Sequence, residues 1–289
     1  MDIAWPIKNL KHKQLIAIPL IAAAIFASAV VLLDIPLTMD FSGGTHISVA
    51  KIDNMPSQDK IADIQAALKG SLGGEVEVHQ TSSGLDIETS IPDVQENQIK
   101  NILNQFGIDG EYSTPKNMGS IITQLYKTQA RNAAIGAVVA MAIILFIALR
   151  HFATVGGILL VIGLDLLGIF GGMSILGIPL GLASMAGILL LLGYGVNTNI
   201  LLCTHVLRRV GGTPRERAAD AMNTGITMST TTAVAMLALN VISTAPELEQ
   251  LSAVLVIGIL VDMMNTWLLN SSLVTRYAEK SGGKYHGRI

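Results

Sequence analysis

Residues 180–204 read LGLASMAGILLLLGYGVNTNILLCT, twenty-five consecutive positions without a charged side chain. A bilayer core of ~30 Å is crossed by about 20 apolar residues in helical conformation, so this stretch alone predicts a membrane span. Five more tracts almost free of charge accompany it, at residues 15–33, 132–149, 152–176, 225–245 and 251–275. Together they predict a polytopic α-helical membrane protein with six transmembrane helices, surrounded by membrane lipid. Whole-chain composition points the same way: 51% of the 289 residues are hydrophobic and 14% charged, against about 25% charged in an ordinary globular domain.

The remaining composition excludes several classes of function. Lys and Arg number 19 against 21 Asp and Glu, which lacks the basic excess of a nucleic-acid binder. Cys203 is the only cysteine, so neither an intrachain disulfide nor a multi-cysteine metal site is expected. The histidines, scattered from His12 to His286, show no ligand spacing. No phosphate-loop pattern occurs, and Gly193-Tyr194-Gly195 within an apolar helix is too short for a dinucleotide fingerprint. The expectation is a protein with no cofactor, no metal and no catalytic residues, and therefore not an enzyme.

Charge also orients the chain. Lys8, Lys11 and Lys13 precede the first tract in the manner of a secretory signal, but the apolar run continues through Leu33, longer than a signal core. It is read as an uncleaved anchor. Cytoplasmic loops attract Lys and Arg. With the N-terminus inside, the inner segments hold 12 of the 19 basic residues, including Arg150, Arg208, Arg209, Arg215, Arg217, Lys284 and Arg288. The outer turns at Ile178-Pro179 and residues 246–250 hold none. Both termini are thus expected in the cytoplasm, and the organisation is 1–33 for the N-terminus and first helix, 34–131 for an extracytoplasmic domain, 132–275 for helices two to six and 276–289 for a cytoplasmic tail.

Within 34–131 the hydrophobic period changes along the chain. Residues 45–51 alternate as a strand. Ser57 precedes a helix with Ile61, Ile64, Ala67 and Leu68 on one stripe, ended by Gly70. Residues 76–80 and 85–89 alternate about Ser82-Ser83-Gly84, a hairpin signal. Pro92 opens a second helix ended by Gly107, and a short strand is predicted at 111–114. The order βαββαβ is the ferredoxin-like α+β arrangement. Asp86 with Glu88, and Glu75 with Glu77, read as solvated strand faces.

An ionisable side chain at mid-membrane costs at least ~2.5 kcal/mol on insertion scales. Two occur, Asp165 in the third tract and Asp262 in the sixth, each near the middle and with no cation at the same depth. Either they titrate when water reaches them, or they are interhelical glue, worth ~0.6 kcal/mol per hydrogen bond. The same two readings apply to Asn197, Thr198 and Asn199 in the fourth tract. Thr227, Ser229, Thr230, Thr231 and Thr232 in the fifth either bond to their own backbone or line a wet crevice. Gly168 and Gly172, and Gly193 and Gly195, are small residues that allow close helix approach.

Three motifs carry a resemblance. Asp40-Phe41-Ser42-Gly43-Gly44-Thr45 after the first helix, Gly193 to Leu202 in the fourth with the basic exit His205 to Arg209, and Val261 to Trp267 in the sixth are, in this order and topology, similar to the SecF family. That family is the smaller half of the SecD/SecF protein-export complex, and Asp165 and the Asp262 motif resemble its archaeal branch. The resemblance covers nearly the whole chain. It implies a half-unit of resistance-nodulation-division type, with SecD as its pseudo-symmetric partner, the SecY translocon as neighbour and an unfolded secretory polypeptide as substrate. Export would be promoted by the proton gradient across the cytoplasmic membrane. Archaeal relatives usually carry aspartates where this chain has Asn197 and Asn199, and bacterial ones an acid at the place of Thr198. Any titrating group is therefore expected at Asp165, Asp262 or in the partner. The competing readings are a half-transporter for lipids or small molecules, which calls for a hydrophobic cleft in the outer domain, and an intramembrane aspartyl protease, whose G-x-G-D motif is missing.

Overall fold

The computed structural model describes residues 4–52, 55–81, 84–243 and 245–280. Helix α1 (Trp5–Asn9) leads into α2 (His12–Leu32), the first span. After it come α3 (Met39–Ser42), β1 (Gly44–Ala50), α4 (Gln58–Leu72), β2 (Val76–Thr81), β3 (Gly84–Thr89), α5 (Glu96–Gln105), β4 (Glu111–Tyr112) and β5 (Lys116–Met118). The antiparallel sheet runs β2-β3-β1-β4, with β5 pairing the opening of β1 beside β4. In register, Ile47 lies opposite Ile87, and Ile87 opposite Val78. These three bury together with Ile64 and Leu68 of α4 and Ile99 and Leu103 of α5. Both helices thus cover one face, which is the ferredoxin-like arrangement.

Three local details differ from the periodicity reading. Helix α4 runs through Gly70 and stops two residues later, where Gly73 adopts the left-handed conformation (φ 81°). An interior glycine costs a helix only about 1 kcal/mol, and Leu72, packed against the domain core, rewards the extra turn. Helix α5 starts at Glu96, with Gln98 Oε1 accepting from the Gln95 N–H at 3.2 Å. Strand β5 went unread because three residues behind Pro115 carry no alternation. The hairpin residues Ser82 and Ser83 lie outside the described residues, as do Lys284 and Arg288.

The remaining spans are α6 (Ser120–Leu149), α7 (Phe152–Leu176), α8 (Leu182–Arg208), α9 (Pro214–Ile242) and α10 (Pro246–Met264). The last continues as a π-helix over Asn265–Asn270 and as α11 (Ser271–Lys280). Among the described residues, six helices are long and apolar enough to cross a membrane. Helix α6 starts about a dozen residues before its apolar tract, so its first turns, with Lys127 and Arg131, belong to the water side. Helix α9 starts with a capping box: Thr213 Oγ1 accepts from Glu216 N–H at 3.2 Å, Glu216 Oε2 accepts from Thr213 N–H at 2.7 Å, and Pro214 occupies the first helical position.

Helices α7, α8 and α10 form the middle of the bundle, with α2 against α7, α6 against α8, and α9 against both α8 and α10. Close approach comes from small residues. A Cβ on Gly168 would stand 2.4 Å from Val261 Cγ1, and one on Gly172 2.6 Å from Ile257 Cγ2. Outward faces stay apolar, with Ile135, Val139, Ile143 and Ile147 on α6 and Val234, Leu237 and Val241 on α9 exposed. At the end of the bundle that carries α1, the arginines bind chain ends: Arg208 donates to the Ala148 carbonyl at 2.6 Å and Arg215 to the Leu10 carbonyl at 3.1 Å.

Candidate functional site

Two polar assemblies stand out, one inside the bundle and one where the inserted domain meets it. The first is centred on Asp262, 1% exposed on α10. Its Oδ2 accepts from Thr198 Oγ1 of α8 at 3.1 Å, and its Oδ1 from Thr266 Oγ1 at 3.0 Å. Gly195 makes the room, since a Cβ there would lie 3.2 Å from Asp262 Oδ1. Asp165, 5% exposed on α7, accepts from Asn265 Nδ2 at 2.7 Å. Fully buried Asn199 donates to the Gly195 carbonyl at 2.8 Å and accepts from Asn270 Nδ2. Helices α7, α8 and α10 therefore meet at one polar knot.

Every side-chain partner in this knot is neutral. A carboxyl held only by hydroxyls and amides can exist with or without a proton, because a threonine hydroxyl turns to donate to one form or accept from the other. Asn265 Oδ1, Asn270 Oδ1 and Trp267 Nε1 are buried without a hydrogen-bond partner among the described residues, so the knot has unused bonding capacity.

The sequence expectations are redistributed by this geometry. Asp165, Asp262, Thr198 and Asn199 come together. Asn197 does not: it is exposed, because successive helical residues point about 100° apart and α8 turns its two neighbours inward. Asn265, Thr266 and Asn270 were missed. Asp262, Thr266 and Asn270 stand four apart, a spacing that places helical residues on one stripe and was there to be read. Asn265 reaches Asp165 only through the packing of α10 on α7. On α9, Thr227, Thr231 and Thr232 return their hydroxyls to backbone carbonyls, while Ser229 accepts from Tyr194 at 3.2 Å.

The second assembly starts at the Asp40 to Thr45 turn. Gly43 and Gly44 take φ of 79° and 139°, and a Cβ on Gly44 would fall 1.9 Å from the Thr89 carbonyl oxygen, so only glycine fits. Asp40 Oδ2 accepts from the Leu182 N–H at 3.2 Å, and Leu37 bridges Leu180 in parallel fashion. The turn thereby ties the domain to the start of α8. Beside it opens a cavity of about 550 Å³ whose lining includes His46, His79, Asp86 and Glu88 from the sheet and Glu247 and Glu249 from the bundle. Glu75 is exposed as expected, but Glu77, Asp86 and Glu88 are not a freely solvated face: the uncovered side of the sheet looks onto the helix ends. The His46 imidazole, 3.6 Å from Asp86, holds that carboxyl below its usual range. Glu77, 3.3 Å from His79, raises the imidazole, while burial raises Glu88.

Comparison with known proteins agrees with this architecture. A family profile described as protein export membrane protein SecD/SecF, C-terminal, matches residues 98–280. The protein-export membrane protein SecF of Methanocaldococcus jannaschii is 31% identical over 277 residues, covering 92% of this chain and 95% of that one. The SecF of Methanothermobacter thermautotrophicus is 32% identical, with 93% of each chain covered. Among solved structures, the translocon-associated membrane protein SecDF of Thermus thermophilus superposes with a TM-score of 0.69 at 19% identity. The superposition takes in 96% of this chain and 39% of that longer one. A second SecDF structure, in a super-membrane-facing form, gives 0.62 at 18% identity.

Proposed function

This chain belongs to the SecF family of protein-export membrane proteins, and from that premise we propose that it works with a SecD subunit beside the SecY translocon, using the proton gradient to promote release of unfolded polypeptide. The accessory role in Sec export comes with the family. The energy source and the sites are our reading. In it, Asp165 and Asp262 are the proton-carrying groups, Thr198 and Asn199 support them, and the Asp40, Gly43 and Gly44 turn transmits movement to the domain. The exposed apolar faces of α6 and α9 are available to SecD and to lipid. The chain lies in the cytoplasmic membrane with both termini inside, divided at 33, 131 and 275 as the charge pattern suggests. It performs no covalent chemistry.

The observation that carries the proposal is the pair of buried aspartates bonded only to neutral groups. A charge crossing the membrane is worth ~2.3 kcal/mol per 100 mV, so one proton at roughly 150 mV supplies about 3.5 kcal/mol. Inverting a two-state equilibrium from 1:99 to 99:1 takes about 5.5 kcal/mol, which two protons provide and one does not. A half-transporter for apolar molecules fits less well, because six carboxylates and two imidazoles stand among the apolar residues that line the cavity between domain and bundle. Replacing Asp165 and Asp262 by Asn, singly and together, keeps size and hydrogen bonding and removes titration. The expected result is normal assembly with loss of the proton-gradient dependence of export in membrane vesicles. Unchanged dependence in the double variant would make both residues glue and move the titrating group to the partner.

A further inference from the structure

The polar knot does not end at the middle of the membrane. From Asp262 a seam of buried polar residues follows one helix toward the end that carries α1: Asn265, Thr266, Asn270, Ser271, Ser272 and Thr275, none more than 2% exposed. So many polar residues packed in a span are costly unless they serve something. Ser271 and Thr275 answer to backbone carbonyls one turn back. Ser272 does not. Its hydroxyl lies 2.9 Å from Nδ1 of His12, at the start of α2. The other ring nitrogen, Nε2, is 3.4 Å from Glu279 Oε2 on α11. His12 is one-fifth exposed and Glu279 two-fifths. One imidazole therefore bridges a buried hydroxyl and a wet carboxylate.

We propose that His12, with Ser272 on its inner side and Glu279 on its outer side, is the mouth through which protons pass between the buried aspartates and the solution at the α1 end of the bundle. This rests on the reading that Asp165 and Asp262 carry protons. The balance is simple. For outward passage to solution, the Ser272 hydroxyl gives its proton to Nδ1 while taking one from a water on its inner side, and the ring gives its Nε2 proton to Glu279 or to solvent. One positive charge moves and the ring is left as the other tautomer, reset by rotation or by the reverse sequence. Imidazole suits the task because its two nitrogens exchange donor and acceptor roles. Between Asp262 and Ser272 the carriers are waters, for which Asn265 Oδ1 and Asn270 Oδ1 offer acceptors unpaired among the described residues.

The charges around the mouth are consistent with passage and not with a sealed clamp. Glu279 faces His12 from α11, and Arg215 of α9 stands 3.9 Å from the same carboxylate. Lys11 and Lys13 flank His12 along its own chain. Glu279 is thus shared between a guanidinium and an imidazole, and keeps the guanidinium beside it whichever tautomer the ring adopts.

The test uses the complex purified from native membranes, reconstituted in liposomes with a trapped pH dye and given an acid step. His12→Gln keeps a hydrogen-bonding group for Ser272 and cannot carry a proton. It is expected to slow proton flux by about tenfold or more, and added imidazole on the α1 side is expected to restore part of the rate. Ser272→Ala should slow flux similarly. Slowing that imidazole does not relieve would mean that His12 only clamps α2 to α11, and would overturn the proposal. So would wild-type flux in both variants while Asp262→Asn abolishes it, an outcome that leaves the aspartate reading standing. Flux that survives the Asp165→Asn, Asp262→Asn double variant would overturn both.

Discussion

Asp86 and Asp262 are both partly or wholly buried aspartates with hydrogen-bond partners on neighbouring elements, yet their settings are opposite. Asp86 faces the His46 imidazole across a cavity open to water, with His79, Glu77 and Glu88 nearby. Asp262 faces two threonine hydroxyls in the centre of the bundle. In the cavity, neighbouring groups bias each ionic state: the hydrogen bond with His46 lowers Asp86, and the hydrogen bond with Glu77 raises His79. In the bundle, neutral partners leave the choice to whatever brings a proton. A group that must change state is best served by neighbours that tolerate both states, and a group that must anchor a surface by neighbours that insist on one.

The largest way to break this contrast is to strip the inner carboxyl of its hydroxyls. Thr198→Val combined with Thr266→Val leaves Asp262 with its two hydroxyl donors gone. A buried acceptor without a partner costs about 1–3 kcal/mol, so thermal unfolding in detergent should show a loss of roughly that size. The matching change in the cavity, His46→Leu, leaves Asp86 able to turn to solvent and should cost about 0.5–1 kcal/mol. Equal losses would mean that the two sites are not distinct in kind.

The smallest effect is a pH dependence confined to the inserted domain. His79 is raised above 6.5 in the folded protein, chiefly by the hydrogen bond to Glu77. Its contribution is therefore complete below that value and fades as pH climbs through the folded one. Asp86 is lowered from 3.8, chiefly by His46, so its contribution is complete above 3.8 and fades only as pH falls through the folded value. Hydrogen exchange of β2 and β3 should then loosen slightly as pH rises above 6.5, and His79→Gln should flatten that trend without touching the acid limb.

The spans were legible because burying charge in lipid is so costly that a tract such as 180–204 has few other fates. The domain was legible because alternation over 45–51, 76–80 and 85–89 survives in three strands of one sheet. What escaped reading depended on neighbours distant in the chain. The solvated appearance of Asp86 and Glu88 follows from strand period alone, whereas their enclosure depends on Glu247 and Glu249 being brought above them. Asp165 and Asp262 declared themselves by their cost, but Asn197 was grouped with Thr198 and Asn199 by adjacency, and which of three adjacent helical residues faces out depends on the packing of α8 against its neighbours. Asn265 was overlooked because its partner, Asp165, lies 100 positions away.

The wide turn over Asn265–Asn270 has a consequence for how the sixth span can be altered. A π-helix closes its hydrogen bonds over one more residue than an α-helix, so the segment acts as a phase shifter, delaying the azimuth of everything after it. Deleting one residue there would let the turn relax to α geometry while the halves on either side keep their facing. Deleting one residue in the α-helical portion before or after would instead swing the following half by about 100° and carry Ser272 away from His12. The span should therefore be intolerant of length change everywhere except at its least regular point.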